Sequence, residues 1–174
     1  MLKIGNEEGY SLIGVLIALA IMSTITTGIM MAIDQIYNVN SDRTSHIIAI
    51  REVQNAGHWF THDGQKAITI EPTQDSDGFP LTMSWDDSDE NQHEVVYILS
   101  LDNELQRQHY INRTINPHPD TTVSVASYID PSKTSCDVTE NNELVVSVTA
   151  AVNIDHVAYT EARTYRIFPR GSLR

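Results

Sequence analysis

The sequence predicts an α+β fold, with a long N-terminal α-helix packed on an antiparallel β-sheet domain. Three features predict it. An uncharged, apolar run of 25 residues extends from Gly9 to Ile33. Beyond it, small and apolar residues recur at three- and four-residue spacing, with no proline between Asp34 and His62, which is the pattern of an amphipathic helix. After Gly64 the apolar period shortens to two, the signature of half-buried strands.

The apolar run comes first. As a helix, residues 10–33 are about 36 Å long, enough to cross a hydrocarbon core of about 30 Å. A buried core helix is excluded by this length and by the missing polar stripe. A cleaved secretory signal has an apolar part of about 7–15 residues before a small-residue cleavage site. Here the run is longer and passes into Asp34-Gln35-Ile36-Tyr37 without such a site. The reading is a retained single-pass membrane anchor. Thr26-Thr27-Gly28 is its weak point, since glycine in a helix costs about 1 kcal/mol relative to alanine.

The helix is expected to continue to about Thr61. Ala49-Ile50, Val53, Ala56-Gly57 and Phe60 form one stripe, with His46 in line a turn earlier, whereas Asp42, Arg43, Arg51, Glu52, Gln54 and Asn55 fall largely off it. Buried against a sheet, each large side chain of such a stripe contributes about 1.5–3 kcal/mol. Asp63-Gly64 reads as a helix stop.

Strands are expected at Ala67–Glu71, Leu81–Trp85, Glu94–Leu101, Glu104–Asn112, Thr122–Ile129, Leu144–Ile154 and Ala158–Phe168. Asp102-Asn103 is a tight hairpin turn between the third and fourth, and another turn falls near Asp155-His156. Leu144, Val146, Val148, Ala150, Val152 and Ile154 alternate strictly. The strands form an antiparallel meander with one face free to cover the helix stripe. Thr73–Phe79, Asp86–Gln92, Asn116–Asp120 and Pro131–Asn142 read as polar loops.

Composition excludes several classes. The chain of 174 residues carries 11 Lys+Arg against 23 Asp+Glu, a net charge of −12. Such a surface repels phosphate, so nucleic acid is not an expected partner. A single cysteine, Cys136, excludes an intramolecular disulfide and a cysteine-based zinc cluster.

The N-terminus is more specific. Met1-Leu-Lys-Ile-Gly-Asn-Glu-Glu-Gly9 is a short polar leader, followed by Tyr10-Ser11-Leu12-Ile13-Gly14 and the apolar helix. This resembles the type IV pilin and type II secretion pseudopilin family, whose leader ends in Gly before Phe-Thr-Leu-Ile-Glu. Gly9 matches the residue before prepilin-peptidase cleavage. Tyr10 stands for Phe, Ser11 for Thr, and Leu12-Ile13 match outright. The motif covers about 30 residues; the rest matches in layout. The resemblance implies a pilin-like fold divided into a leader (1–9), a transmembrane half-helix (10–33), an amphipathic half-helix (34–63) and a β-rich extracytoplasmic domain (64–174).

It also implies a non-enzymatic subunit of a type IV pilus or type II secretion pseudopilus, cut after Gly9 and methylated at Tyr10. Its partners would be prepilin peptidase, the inner-membrane assembly platform, other pilin or pseudopilin subunits and membrane lipid. The cytoplasmic membrane would be its location before assembly. Flanking charges are nearly balanced, so the orientation rests on the resemblance. Gly14, Ala18, Ala20 and Gly28 would permit close helix approach in a filament. Two departures matter. Gly14 stands where the family usually has Glu, a carboxylate thought to pair with a neighbour's amine; some minor, tip-located pseudopilins also lack it. The second departure is the lone cysteine, where many pilins close a C-terminal loop with two. Together with the large soluble part, Gly14 points to a minor, tip or initiating component.

Other chemistry is sparse. His58 and His62 lie one helical turn apart beside Asp63, a zinc-compatible spacing without the Glu of a zinc protease. Asp75 and Asp77, with Asp87 and Asp89, offer oxygen ligands that suit calcium, but the EF-hand pattern fails, with Thr73 and Ser84 at its first and twelfth positions. The cofactor expectation is none, with calcium as the candidate in these loops. Neither a nucleophile elbow nor a phosphate-binding glycine loop occurs. The rival reading is a single-pass, membrane-anchored binding or adhesion module that does not polymerise. A third is an anchored enzyme built on His58, His62 and the acidic loops.

Overall fold

A computed structural model describes residues 12–74, 77–89, 91–154 and 157–170. It has one long helix, α1 (Leu12–Lys66), followed by strands in two antiparallel sheets. Two compact units divide between Ser41 and Asp42. In the first, α1 is solvent-exposed along its whole apolar run; Leu12, Ile17, Met22, Ile29 and Ile36 all stand free.

In the second unit the helix buries one line of residues: Ser45, Ala49, Val53, Ala56, Phe60 and Asp63. The steps of four and three keep them on one face. Of the expected stripe, Ala49, Val53, Ala56, Gly57 and Phe60 are buried and Ile50 is half-buried, while His46 is exposed with its ring 4.3 Å from that of Tyr159.

Five strands form the first sheet in chain order: β1 (Thr69–Pro72), β2 (Leu81–Asp86), β3 (Gln92–Leu99), β4 (Leu105–Ile111) and β5 (Thr121–Ala126). A bulge lies between Leu105 and Gln106 where β4 meets β5. The β3–β4 turn uses Asn103 at φ 60°, a conformation that asparagine tolerates. The second sheet has the order β6 (Ser135–Val138), β7 (Leu144–Ile154), β8 (Val157–Ile167). One bridge, Ile129 to Ala150, ties the end of the first sheet to the second.

Three expectations change. The strands form two sheets instead of one meander, because the chain leaves the first sheet after Ala126 and starts a new edge at Ser135. The segment 131–142, expected as a loop, holds a 3-10 turn (Pro131–Lys133) and β6; β6 is a four-residue strand too short to show a period. The helix does not stop at Asp63-Gly64. Asp63 turns into the core, and a Cβ on Gly64 would lie 2.8 Å from Ile167 Cγ2. This glycine serves close packing against β8, and α1 ends at Lys66.

The core lies between the helix and the sheets. Phe60 meets Tyr97 at 4.4 Å and Phe79 at 6.3 Å between ring centres. Leu81, Met83, Val95 and Leu105 join from the first sheet, and Leu144, Val146, Val148, Ala150 and Val152 from β7. The strict alternation of β7 places this whole set inward. Gly57 lets β8 approach: a Cβ there would sit 2.1 Å from Tyr165 Cζ. Tyr165 uses this space to donate its hydroxyl to the Val53 carbonyl at 2.9 Å.

Candidate functional site

Two regions hold chemistry or unusual surface. The first is the apolar stretch of α1. It is the one helix among the described residues long and apolar enough to cross a membrane, and none of its apolar window is buried. Its threonine hydroxyls are satisfied within the helix. Thr24, Thr26 and Thr27 donate to the carbonyls of Ile21, Met22 and Ser23 at 2.8–2.9 Å. That arrangement suits hydrocarbon, where no water would accept them. Gly14 and Ala18 line an apolar groove with Val15, Leu19 and Met22. Nothing lies within 4 Å of a Cβ built on Gly14 or Gly28, and Ala20 is exposed. Gly9 and Tyr10 lie outside the described residues.

The second region is where the end of α1 meets β2, β3 and β4. Asp63 is fully buried and accepts from Arg107 Nε at 2.6 Å, Arg107 Nη2 at 3.1 Å and the Tyr97 hydroxyl at 2.6 Å. His62 Nδ1 lies 3.0 Å from Asp63 Oδ1, the oxygen that also accepts from Arg107 Nη2. Burial alone would raise the Asp63 pKa, but the bonds from Arg107 and Tyr97 outweigh it and hold the carboxyl below its ordinary range. Burial, then the neighbouring carboxylate, pushes the Tyr97 phenol upward. Arg107 also lies over the Trp59 ring at 4.9 Å. This network pins the helix to the sheet, and it went unread in the sequence. Its signal was two charges on apolar phases: Asp63 three residues after Phe60, and Arg107 two after Leu105.

Beside it runs a chain of hydrogen bonds through Asp87, His93 and His109. His93 Nε2 is 3.0 Å from Asp87 Oδ2, and its Nδ1 is 3.0 Å from His109 Nε2. The two imidazole planes differ by 3° with centres 5.2 Å apart, farther than the nitrogens by about two ring radii. They therefore lie end to end in one plane, the geometry of a linear N–H···N bond. Trp85 stacks on both, at 5.5 and 6.2 Å. Burial first, then the charges of Arg107 and His93, lower the His109 pKa, with Asp63 and Asp120 pulling the other way. The bond to His93 and those from the Asn91 and Asp89 amides lower Asp87 to about 2.

The expected metal residues do not converge. Among the described residues no three His, Cys, Asp or Glu side chains are placed to hold a metal ion. His58 and His62 have ring centres 6.3 Å apart, and His62 is engaged by Asp63. Asp87 Oδ1 caps its own turn by accepting from Asp89 N and Asn91 N, at 2.8 and 3.1 Å. Asp77 Oδ1 accepts from Phe79 N at 3.2 Å. Asp89 contributes a backbone amide to the Asp87 turn, and Asp75 lies outside the described residues. Cys136 is buried in β6, its thiol donating to the Gly78 carbonyl at 3.0 Å. Burial and the nearby Asp77 and Asp137 push it up to about 12, so it stays protonated and unreactive at neutral pH.

In comparisons with known proteins, the chain matches no family model, no curated protein and no solved structure.

Proposed function

We propose that this chain is a non-enzymatic, pilin-like structural subunit, held in the cytoplasmic membrane by α1 with its β domain outside, and assembled with related subunits into a type IV pilus or type II secretion pseudopilus as a minor component. One observation carries the reading. The first stretch of α1 is wholly exposed and apolar with its threonine hydroxyls satisfied internally, while a later stretch of the same helix is built into a β-domain core. A side chain left without cover in the monomer must be covered by lipid or by other helices. Exchange of lipid for sister helices is what filament assembly requires, and Gly14, Ala18, Ala20 and Gly28 would ease close contact there. The leader ending at Gly9 supports cleavage by prepilin peptidase.

Mass spectrometry of the protein recovered from membranes of a peptidase-bearing host tests this reading. The expected chain begins at Tyr10, with or without one methyl group, and Gly9→Val leaves the precursor uncut in the membrane. A mature chain that keeps Met1, or normal cutting of Gly9→Val, overturns it.

A further inference from the structure

The long outer edge of the second sheet is self-complementary. β8 is the terminal strand of the order β6-β7-β8, and its open side can be read from its partner. Thr149 accepts from Asp130 N and Ala151 donates to Tyr128 O, at 2.8 and 2.7 Å, so both direct their backbone groups away from β8. In an antiparallel ladder a residue's N–H and C=O point the same way. Val148, Ala150 and Val152 therefore bond β8, through Arg163, Glu161 and Tyr159. Thr160, Ala162 and Thr164 then aim their N–H and C=O at the open edge, and all three are exposed.

The other terminal strands are short: β1 and β6 have four residues each, β1 ending in Pro72, and β5 has six. β8 has 11, with neither proline nor lysine. Short strands, prolines and lysines are how sheet edges are protected from pairing; β8 lacks all three.

Its sequence supplies the occupant. Tyr159-Thr160-Glu161-Ala162-Arg163-Thr164-Tyr165 reads the same in both directions, except that Glu and Arg exchange places. Two such strands set antiparallel with Ala162 opposite Ala162 place Tyr159 opposite Tyr165, Thr160 opposite Thr164 and Glu161 opposite Arg163 of the second copy, twice over. Ala162 falls at a hydrogen-bonded pair, consistent with the open-edge phase. Glu161 and Arg163 fall at non-bonded pairs, where side chains are closest. Within one chain these two are already an ion pair at 3.2 Å and partly exposed.

We propose that β8 is a homotypic docking edge, pairing antiparallel with β8 of a second copy about a two-fold axis at Ala162, and fusing two three-stranded sheets into one of six. The axis also reverses the stretch of α1 that runs along β8, from His46 beside Tyr159 to Gly64 beside Ile167. The two α1 stretches then run antiparallel, unlike parallel helices packed side by side.

The test uses the full chain in detergent micelles, where copies are free to approach in either sense. Under mild oxidation, Ala162→Cys is expected to form a covalent dimer, since directly opposed residues lie within disulfide reach. Thr160→Cys is expected not to, because its counterpart lies four residues along, about 13 Å away. Glu161→Arg or Arg163→Glu alone should weaken dimerisation about tenfold or more by setting like charges opposite each other. The double exchange Glu161→Arg with Arg163→Glu should restore it. Ala162→Pro, which removes only an outward N–H, should give a folded monomer by circular dichroism and sedimentation. Equal crosslinking at 160 and 162, failure of the double exchange to rescue, or a wild-type chain that stays monomeric over the whole concentration series overturns the proposal.

Discussion

Removing the Asp63 carboxylate should be among the most damaging single changes to the β domain. Asp63 has no exposed surface, and it accepts two bonds from Arg107 and one from Tyr97. In Asp63→Ala the Arg107 guanidinium, only 10% exposed, is left as an uncompensated buried charge. Breaking a buried pair from one side costs about 3–5 kcal/mol. With a urea slope near 2 kcal/mol/M, the unfolding midpoint should fall by about 1.5–2.5 M. Trp59 reports the event, since Arg107 lies over its ring at 4.9 Å, so fluorescence-monitored unfolding of the full chain in mild detergent is the assay. Replacing both partners by apolar residues, Asp63→Leu with Arg107→Met, should recover most of the loss. The pH dependence has a definite sign. Asp63 titrates below its ordinary range in the fold. Its contribution is therefore complete above the ordinary aspartate value of about 3.9 and is lost as pH falls through the lower folded value; Asp63→Asn should lack that acid limb. A midpoint for Asp63→Ala within about 0.5 M of wild type would refute the reasoning.

Three further outcomes follow from named contacts. Gly57→Ala puts a methyl where Tyr165 Cζ would be 2.1 Å away, so the ring must leave; thermal unfolding should show about 1–3 kcal/mol of destabilisation, and Gly57→Ala should cost clearly less in a Tyr165→Ala background. His109 titrates below the ordinary histidine value, so the unfolded chain binds its proton first. Stability should fall as pH drops below about 6.5 and level off below the folded value, and His109→Gln should flatten that decline in midpoint against pH. Cys136, buried and pushed up to about 12, should resist maleimide in the native chain and react rapidly in urea; equal rates in both states would contradict its placement.

Some of this architecture was legible because burial leaves a period in the sequence. Ala49, Val53, Ala56 and Phe60 repeat with the helical turn, and Leu144 to Val152 alternate with the pleat, so each set declares its inward face without reference to any partner. Asp63 was misread for the converse reason. A charge followed by glycine looks like a helix stop until Arg107, 44 residues away, is seen to neutralise it. The Asp87–His93–His109 chain was equally hidden, because β-strand register, which sets His93 opposite Ile111 and so diagonal to His109 across β3 and β4, is a relation between segments.

Which faces are apolar, where the long helix lies and the lack of a polar side on its first stretch follow from the order of side chains along a local geometry. Long-range packing sets the rest: the strands divide into two sheets, α1 runs on to Lys66, Gly57 and Gly64 make room for Tyr165 and Ile167, and β8 is left at an edge. Those outcomes depend on which segments compete for the same buried surface, and that competition is resolved only when distant parts of the chain meet.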